Sequence, residues 1–235
     1  MQANHLGHFL LMKMMLDGNM LKTTASSSDQ NDEPSRVCIL TSSTYEFSAS
    51  TSGFDFEDPF CSNGQRPYTL FGQYSMTKLA NLLTAKELAR RYNNNDDDDN
   101  DGDDDENSAL AVFAVHPGIV RTNVTSNMNW YYRLPNKVFG WIVVSLSKTA
   151  EQGAYSTVHV TSAPLRELQP SGVWKKGSYL VNCKEQPAHE YVAGQSGVED
   201  AKRLWNWSEQ LVSNKEGEGS ANATNGNDDG EKKEQ

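Results

Sequence analysis

The sequence predicts an α/β chain built on a parallel sheet, and three observations carry that expectation. Two short apolar, β-branched runs, Arg36-Val37-Cys38-Ile39-Leu40 and Ala109-Leu110-Ala111-Val112-Phe113-Ala114-Val115, end in small or turn-forming residues, Thr41-Ser42-Ser43 and His116-Pro117-Gly118. Such runs read as strands buried on both faces, the usual condition of a parallel strand. Between them Leu79, Leu82, Leu83, Ala85, Leu88 and Ala89 recur at helical spacing, so a helix joins the two strands. Strands alternating with helices imply βαβ units with right-handed crossovers, and ligands of such sheets bind beyond the carboxyl ends of the strands.

Taken in order, residues 1–22 are apolar on almost every side, with Leu6, Phe9, Leu10, Met12, Met14 and Leu16, which predicts a helix buried on several sides. A polar loop leads to the first strand. Residues 44–73 read as an irregular Ser/Gly/aromatic insertion, expected to form a substrate lid together with the aromatic segment 128–146. The central helix is expected over 74–92, with Lys86, Glu87, Arg90 and Arg91 on its wet side. Residues 93–107 are a low-complexity Asn/Asp tract that reads as a disordered surface loop. After the second strand, 149–162 predicts a helix with Thr149 in its N-cap region and Glu151 in its first turn. Residues 177–182 predict a third strand, 198–212 a terminal helix and 213–235 a disordered polar tail. Residues 1–212 are thus expected to hold one partial domain.

The net charge of −10 over 235 residues is concentrated in two stretches. Asp96 to Glu106 holds nine acids and no base, and Ser213 to Gln235 holds six acids against three lysines. The remainder is close to neutral, with no basic stripe, so nucleic acid is not an expected partner. The three cysteines, Cys38, Cys61 and Cys183, form no Cys-x-x-Cys pair, which predicts reduced thiols and no metal site. Asn-x-Ser/Thr matches at Asn123, Asn206 and Asn222 have no secretory leader to give them context. No apolar run approaches the ~18 residues of a membrane span. A reduced, cytoplasmic setting is the expectation for the chain, and membrane association is not encoded in it.

The chemistry concentrates in Gln73-Tyr74-Ser75-Met76-Thr77-Lys78-Leu79-Ala80-Asn81. Tyr74 and Lys78 are four apart and share one helix face. An ammonium beside a phenol favours the phenolate, and a phenol so tuned can exchange a proton with an alcohol or a carbonyl. Tyr-x-x-x-Lys is a common pattern, so its meaning rests on the residues around it. Ser43 ends the first strand, Pro117-Gly118 ends the second, and Tyr74 begins the helix between them, so all three are directed to one sheet edge.

With those residues in place the chain resembles the short-chain dehydrogenase/reductase family, in its retinol-dehydrogenase-like branch. The resemblance rests on Asn4-His5-Leu6-Gly7-His8-Phe9-Leu10-Leu11, Leu40-Thr41-Ser42-Ser43, the Tyr74 to Asn81 stretch and His116-Pro117-Gly118-Ile119-Val120-Arg121-Thr122. Gly177-Ser178-Tyr179-Leu180 and Leu204-Trp205-Asn206-Trp207-Ser208-Glu209 resemble that branch's last strand and helix. The resemblance implies a Rossmann-like doubly wound sheet and an NAD- or NADP-dependent oxidoreductase that interconverts an alcohol and a carbonyl on a lipophilic, retinoid- or steroid-like substrate. It implies Tyr74 as general acid/base, Lys78 beside it and on the cofactor ribose, Ser43 on the substrate oxygen, and Asn4 in a relay from Lys78 to solvent. Pro117, Gly118, Ile119 and Thr122 would shape the nicotinamide pocket. It also implies dimerisation, with a like chain or a related reductase, through helices corresponding to 5–22 and 74–92.

The family's Thr-Gly-x-x-x-Gly-x-Gly turn, which places a pyrophosphate on a helix N-terminus, does not occur in the sequence. The expectation is therefore the C-terminal half of the sheet, with three recognisable strands and the N-terminal strands missing. It predicts an open sheet edge, weak stability, poor cofactor binding and an inactive chain as it stands. The alternative function is a non-catalytic short isoform acting as an interaction or dimerisation module.

Overall fold

The computed structural model describes residues 1–23, 33–64, 67–92, 110–120, 147–168 and 177–224. The acidic tract 93–107, the aromatic segment 128–146 and the end of the tail lie outside the described residues. A π-helical turn, Gln2–Leu6, runs into α1 (Gly7–Asp17). Then come β1 (Arg36–Leu40), α2 (Tyr45–Thr51), α3 (Leu70–Tyr92) and β2 (Ala111–His116). The chain continues through α4 (Ala150–Ser162), α5 (Leu165–Leu168), β3 (Ser178–Val181), β4 (Lys184–Glu185), α6 (Glu190–Ala193) and α7 (Gln195–Thr224). Among the described residues no helix is long and apolar enough to cross a membrane.

The strands form one sheet in the order β1-β2-β3-β4. The first three are parallel, with Cys38 opposite Phe113 and Phe113 opposite Ser178, and short β4 is antiparallel to β3. Alternation along β2 sorts the core into two layers. Val112 and Ala114 pack with Phe9, Tyr45, Leu82 and Trp205 from α1, α2, α3 and α7, whereas Phe113 and Val115 pack with Val160 and Leu165 from α4 and α5. Helices thus cover both faces of a mostly parallel sheet, the layered α/β architecture that the pattern predicts.

Three expectations need correction. The helix at residues 1–22 ends at Asp17, and it is not buried all round, because Leu11 and Met14 are exposed. Residues 44–73 are not wholly irregular. They contain α2, and α3 begins at Leu70, where the Thr69 hydroxyl accepts from the Gly72 N–H (3.2 Å) as an N-cap. Lastly, α3 has no wet side over most of its length. From Ser75 to Ala89 every side chain is buried or half-buried, because α2 and α7 both pack on it. Glu87, expected in solvent, is buried and takes charge-assisted bonds from Arg90 (2.8 Å) and Arg91 (2.6 Å). Thr149 caps α4 as expected, in a reciprocal capping box with Gln152. The terminal helix α7 starts at Gln195 and its backbone continues to Thr224, past Val212, the last of its described core residues.

Among the described residues β1 ends the sheet. Its free side lines a groove of about 420 Å³, walled by Phe9, Met12 and Met15 of α1 and by Lys78, Asn81 and Thr84 of α3. Thr84 Oγ1, buried in that wall, has no hydrogen-bond partner among the described residues.

Candidate active site

The site forms where β1 and β2 end. The Thr41 N–H continues the ladder to the Val115 carbonyl (2.9 Å), and the Thr41 hydroxyl donates to the Lys78 carbonyl (2.8 Å). That bond fixes the strand end to the turn of α3 that carries the lysine. The chain then turns through Ser42, Ser43 and Thr44, and the Ser43 carbonyl accepts from the Glu46 N–H (3.1 Å) at the start of α2. The Ser75 hydroxyl donates to the Thr44 carbonyl, so the Ser43 turn is pinned one residue from Tyr74. Ser43 and Tyr74 are both exposed, Tyr74 at 40%.

Tyr74 and Lys78 meet as the helical spacing requires. The Lys78 ammonium stands 5.5 Å from the centroid of the Tyr74 ring and donates to the Leu40 carbonyl (3.2 Å). Burial of the ammonium lowers the Lys78 pKa below that of a free lysine. The Asn81 carboxamide donates to the same Leu40 oxygen (2.9 Å). Asn4 is exposed and lines the groove beside Lys78 and Asn81, at the first turn of the N-terminal helix.

On the other side, Pro117, Gly118 and Ile119 leave the end of β2. Gly118 takes φ +89°, a conformation that strains any side chain, and a Cβ there would push on the Lys148 ammonium at 2.9 Å. Lys148 organises this loop. Its ammonium donates to the Pro117 carbonyl (3.1 Å) and to the Asn182 side chain, and its backbone N–H donates to the Ile119 carbonyl (2.8 Å). The charges of both lysines reach His116, at the end of β2. Its pKa is lowered first by burial and then by the charges of Lys148 and Lys78, so it is neutral at physiological pH. Ile119 is exposed at the mouth. Thr122 lies outside the described residues.

The sheet edge thus gathers a phenol, an ammonium with donors to spare and a glycine turn, with Ser43 on the adjoining turn. Such a corner can pass a proton to an oxygen and hold hydroxyls beside it. A nicotinamide–ribose end fits the chemistry of these donors, because the Lys78 ammonium beside the Tyr74 ring bonds the Leu40 carbonyl and keeps N–H donors for ribose hydroxyls. Residue spacing does not mark out His5 or Lys148. Asn81 closes the Tyr74 to Asn81 stretch, and its place at i+3 from Lys78 is the available signal. Lys148 acts on residues far away in the chain, which spacing does not register. The aromatics of the insertion are partly committed elsewhere: Phe54 and Phe60 pack on Trp207, and Arg203 lies over Phe56 (4.0 Å).

No family model matches the chain. It is 31% identical over 210 residues to human retinol dehydrogenase 14, covering 89% of this chain and 51% of that protein. It is 30% identical over 182 residues to human polyprenol dehydrogenase, covering 77% of this chain and 45% of that protein. With the WW domain-containing oxidoreductase of Pongo abelii it shares 29% identity over 215 residues, 90% of this chain and 42% of that protein. The chain spans about half the length of the curated relatives it matches.

Proposed function

The chain belongs to the short-chain dehydrogenase/reductase family, and from that premise we propose that it carries the proton-transfer corner of a nicotinamide-dependent oxidoreductase acting between an alcohol and a carbonyl. The observation that carries the reading is the Tyr74–Lys78 pair, ring against ammonium at 5.5 Å, at the carboxyl edge of a parallel sheet. NAD or NADP, when bound, supplies or takes the hydride.

In the reducing direction Tyr74 Oη gives its proton to the carbonyl oxygen while the carbon gains hydride, and the product is the alcohol. In the oxidising direction the phenolate takes the hydroxyl proton. Lys78 holds positive charge beside the phenolate and has donors left for ribose hydroxyls. Ser43 donates to the substrate oxygen as charge develops there. Asn4, exposed in the groove beside Lys78, would link that lysine to solvent, and Pro117, Gly118 and Ile119 would hold the nicotinamide. Two features support a lipophilic substrate. The relatives' names specify a retinol and a polyprenol, and Phe71, one turn before Tyr74 on the same face, is exposed and stacks edge-on against Phe47.

The test is a reductase assay on the purified chain with NADH and NADPH and a panel of long-chain and polycyclic aldehydes and ketones. Although poor cofactor binding is expected of this chain, the corner should turn over at high cofactor concentration, at a rate that Tyr74→Phe lowers roughly 10²–10⁴-fold. A folded chain with no turnover on any pair refutes this reading. Should that silent chain also dimerise, the alternative of an interaction module takes its place.

A further inference from the structure

The free edge of β1 ends on a carbonyl that two side chains share. The Thr41 N–H bonds to Val115, and the Ala111 N–H bonds to the Ser35 carbonyl. In a parallel ladder neighbouring residues alternate sides, so the backbone groups of Arg36, Cys38 and Leu40 point away from β2. Among the described residues the Leu40 carbonyl therefore has no strand beyond it. It accepts instead from Lys78 Nζ (3.2 Å) and Asn81 Nδ2 (2.9 Å). Behind Asn81 is His5, for which the carboxamide is a hydrogen-bonding neighbour, and His5 Nε2 lies 2.9 Å from Ser208 Oγ. Asn81, His5 and Ser208 come from α3, the N-terminal π turn and α7, and all three are buried. Burying three polar side chains is costly unless each is satisfied, and a satisfied buried network is rigid.

We propose that Asn81 is a positioning residue for Lys78: backed by His5 and Ser208, it fixes the Leu40 carbonyl on which the ammonium is seated, and so holds that ammonium beside Tyr74. The proposal rests on the reading of Tyr74 and Lys78 as the proton-transfer pair. A lysine on a four-carbon stem cannot orient a strand-end carbonyl by itself, because its own rotamers are free. A carboxamide bonded to that carbonyl and set beside a buried imidazole can. Burial drives the His5 pKa down to about 4, so the ring is neutral at physiological pH. A neutral imidazole has one donor and one acceptor nitrogen. It can join a hydroxyl to an amide without adding a cation near Lys78. Besides the Tyr74 phenol at 5.5 Å, the charge of Lys78 reaches His116 on β2, which burial keeps neutral as well.

Competitive labelling of amines with acetic anhydride across pH tests this in the full chain, read by mass spectrometry on the peptide that carries Lys78. It needs neither cofactor nor turnover. In Asn81→Leu, similar in size but without the donor, the Lys78 titration midpoint is expected to move up as the released ammonium regains water, with circular dichroism unchanged. Where Asn81→Leu does not fold, Asn81→Ser, too short to reach the Leu40 carbonyl, carries the same expectation. An unchanged or lowered midpoint in a folded variant overturns the proposal. A silent reductase assay alongside a raised midpoint would sink the proposed reaction and leave the positioning intact, while turnover with an unmoved midpoint would do the opposite.

Discussion

The first turn of α3 and the four turns after it treat similar side chains in opposite ways. Leu70 and Phe71 are about half exposed and Tyr74 is 40% exposed, whereas Leu79, Leu82, Leu83 and Leu88 are fully buried. The helix leaves the core where its chemistry begins. Reactive groups stand on the part that is open to a ligand, and the part that fixes their direction is enclosed by α1, α2, α7 and the sheet. Reactivity and stability are thereby assigned to different residues of one continuous helix, so substitutions at the two ends should separate them.

The largest effect expected is at the open end. Tyr74→Phe should lower turnover roughly 10²–10⁴-fold, since it removes the transferable proton, while the thermal melt of the variant overlays that of the parent. A melt that falls with it would break the comparison. At the enclosed end Leu83→Ala should cost about 2–5 kcal/mol, because a fully buried leucine leaves a cavity, as measured by denaturant unfolding. Next comes an acid effect that reaches α3 through His5. Its pKa is about 4 when folded and about 6.5 when unfolded, so the unfolded chain binds the extra proton between those values. Its share of stability is complete above about pH 6.5 and is lost as pH falls toward 4, a change on the order of 3 kcal/mol. Urea titrations at pH 7 and pH 4.5 should show the loss, and His5→Gln should flatten it. The smallest effect belongs again to the open turn: Phe71→Ala gives up a half-exposed edge contact with Phe47 and should cost under about 1 kcal/mol.

Much of this division was legible in sequence, for particular reasons. Tyr74 and Lys78 could be paired because helical geometry converts a spacing of four into proximity, and the strand ends could be placed because β1 and β2 stop at small or turn-forming residues. The burial of Glu87 could not be read. Periodicity assigns a charged residue to water, and it is overruled by two arginines at i+3 and i+4 together with α7 packed above. The helix α2 was hidden because Ser48, Ser50 and Thr51 carry little helix propensity and the stretch has no amphipathic pattern, and its place is set by Tyr45, fully buried against Tyr179. Lys148 escaped for a different reason. Its three partners, Pro117, Ile119 and Asn182, become neighbours only once β2, β3 and α4 have packed.

The alternation along β1 gives that strand two clocks. Amides of Val37 and Ile39 face β2 and open only when the sheet itself opens, whereas those of Arg36, Cys38 and Leu40 face the groove and report its occupancy residue by residue. Deuterium uptake along these five residues therefore works as a ruler laid against the edge. Whatever lies in the groove slows every second mark and leaves the others where they were.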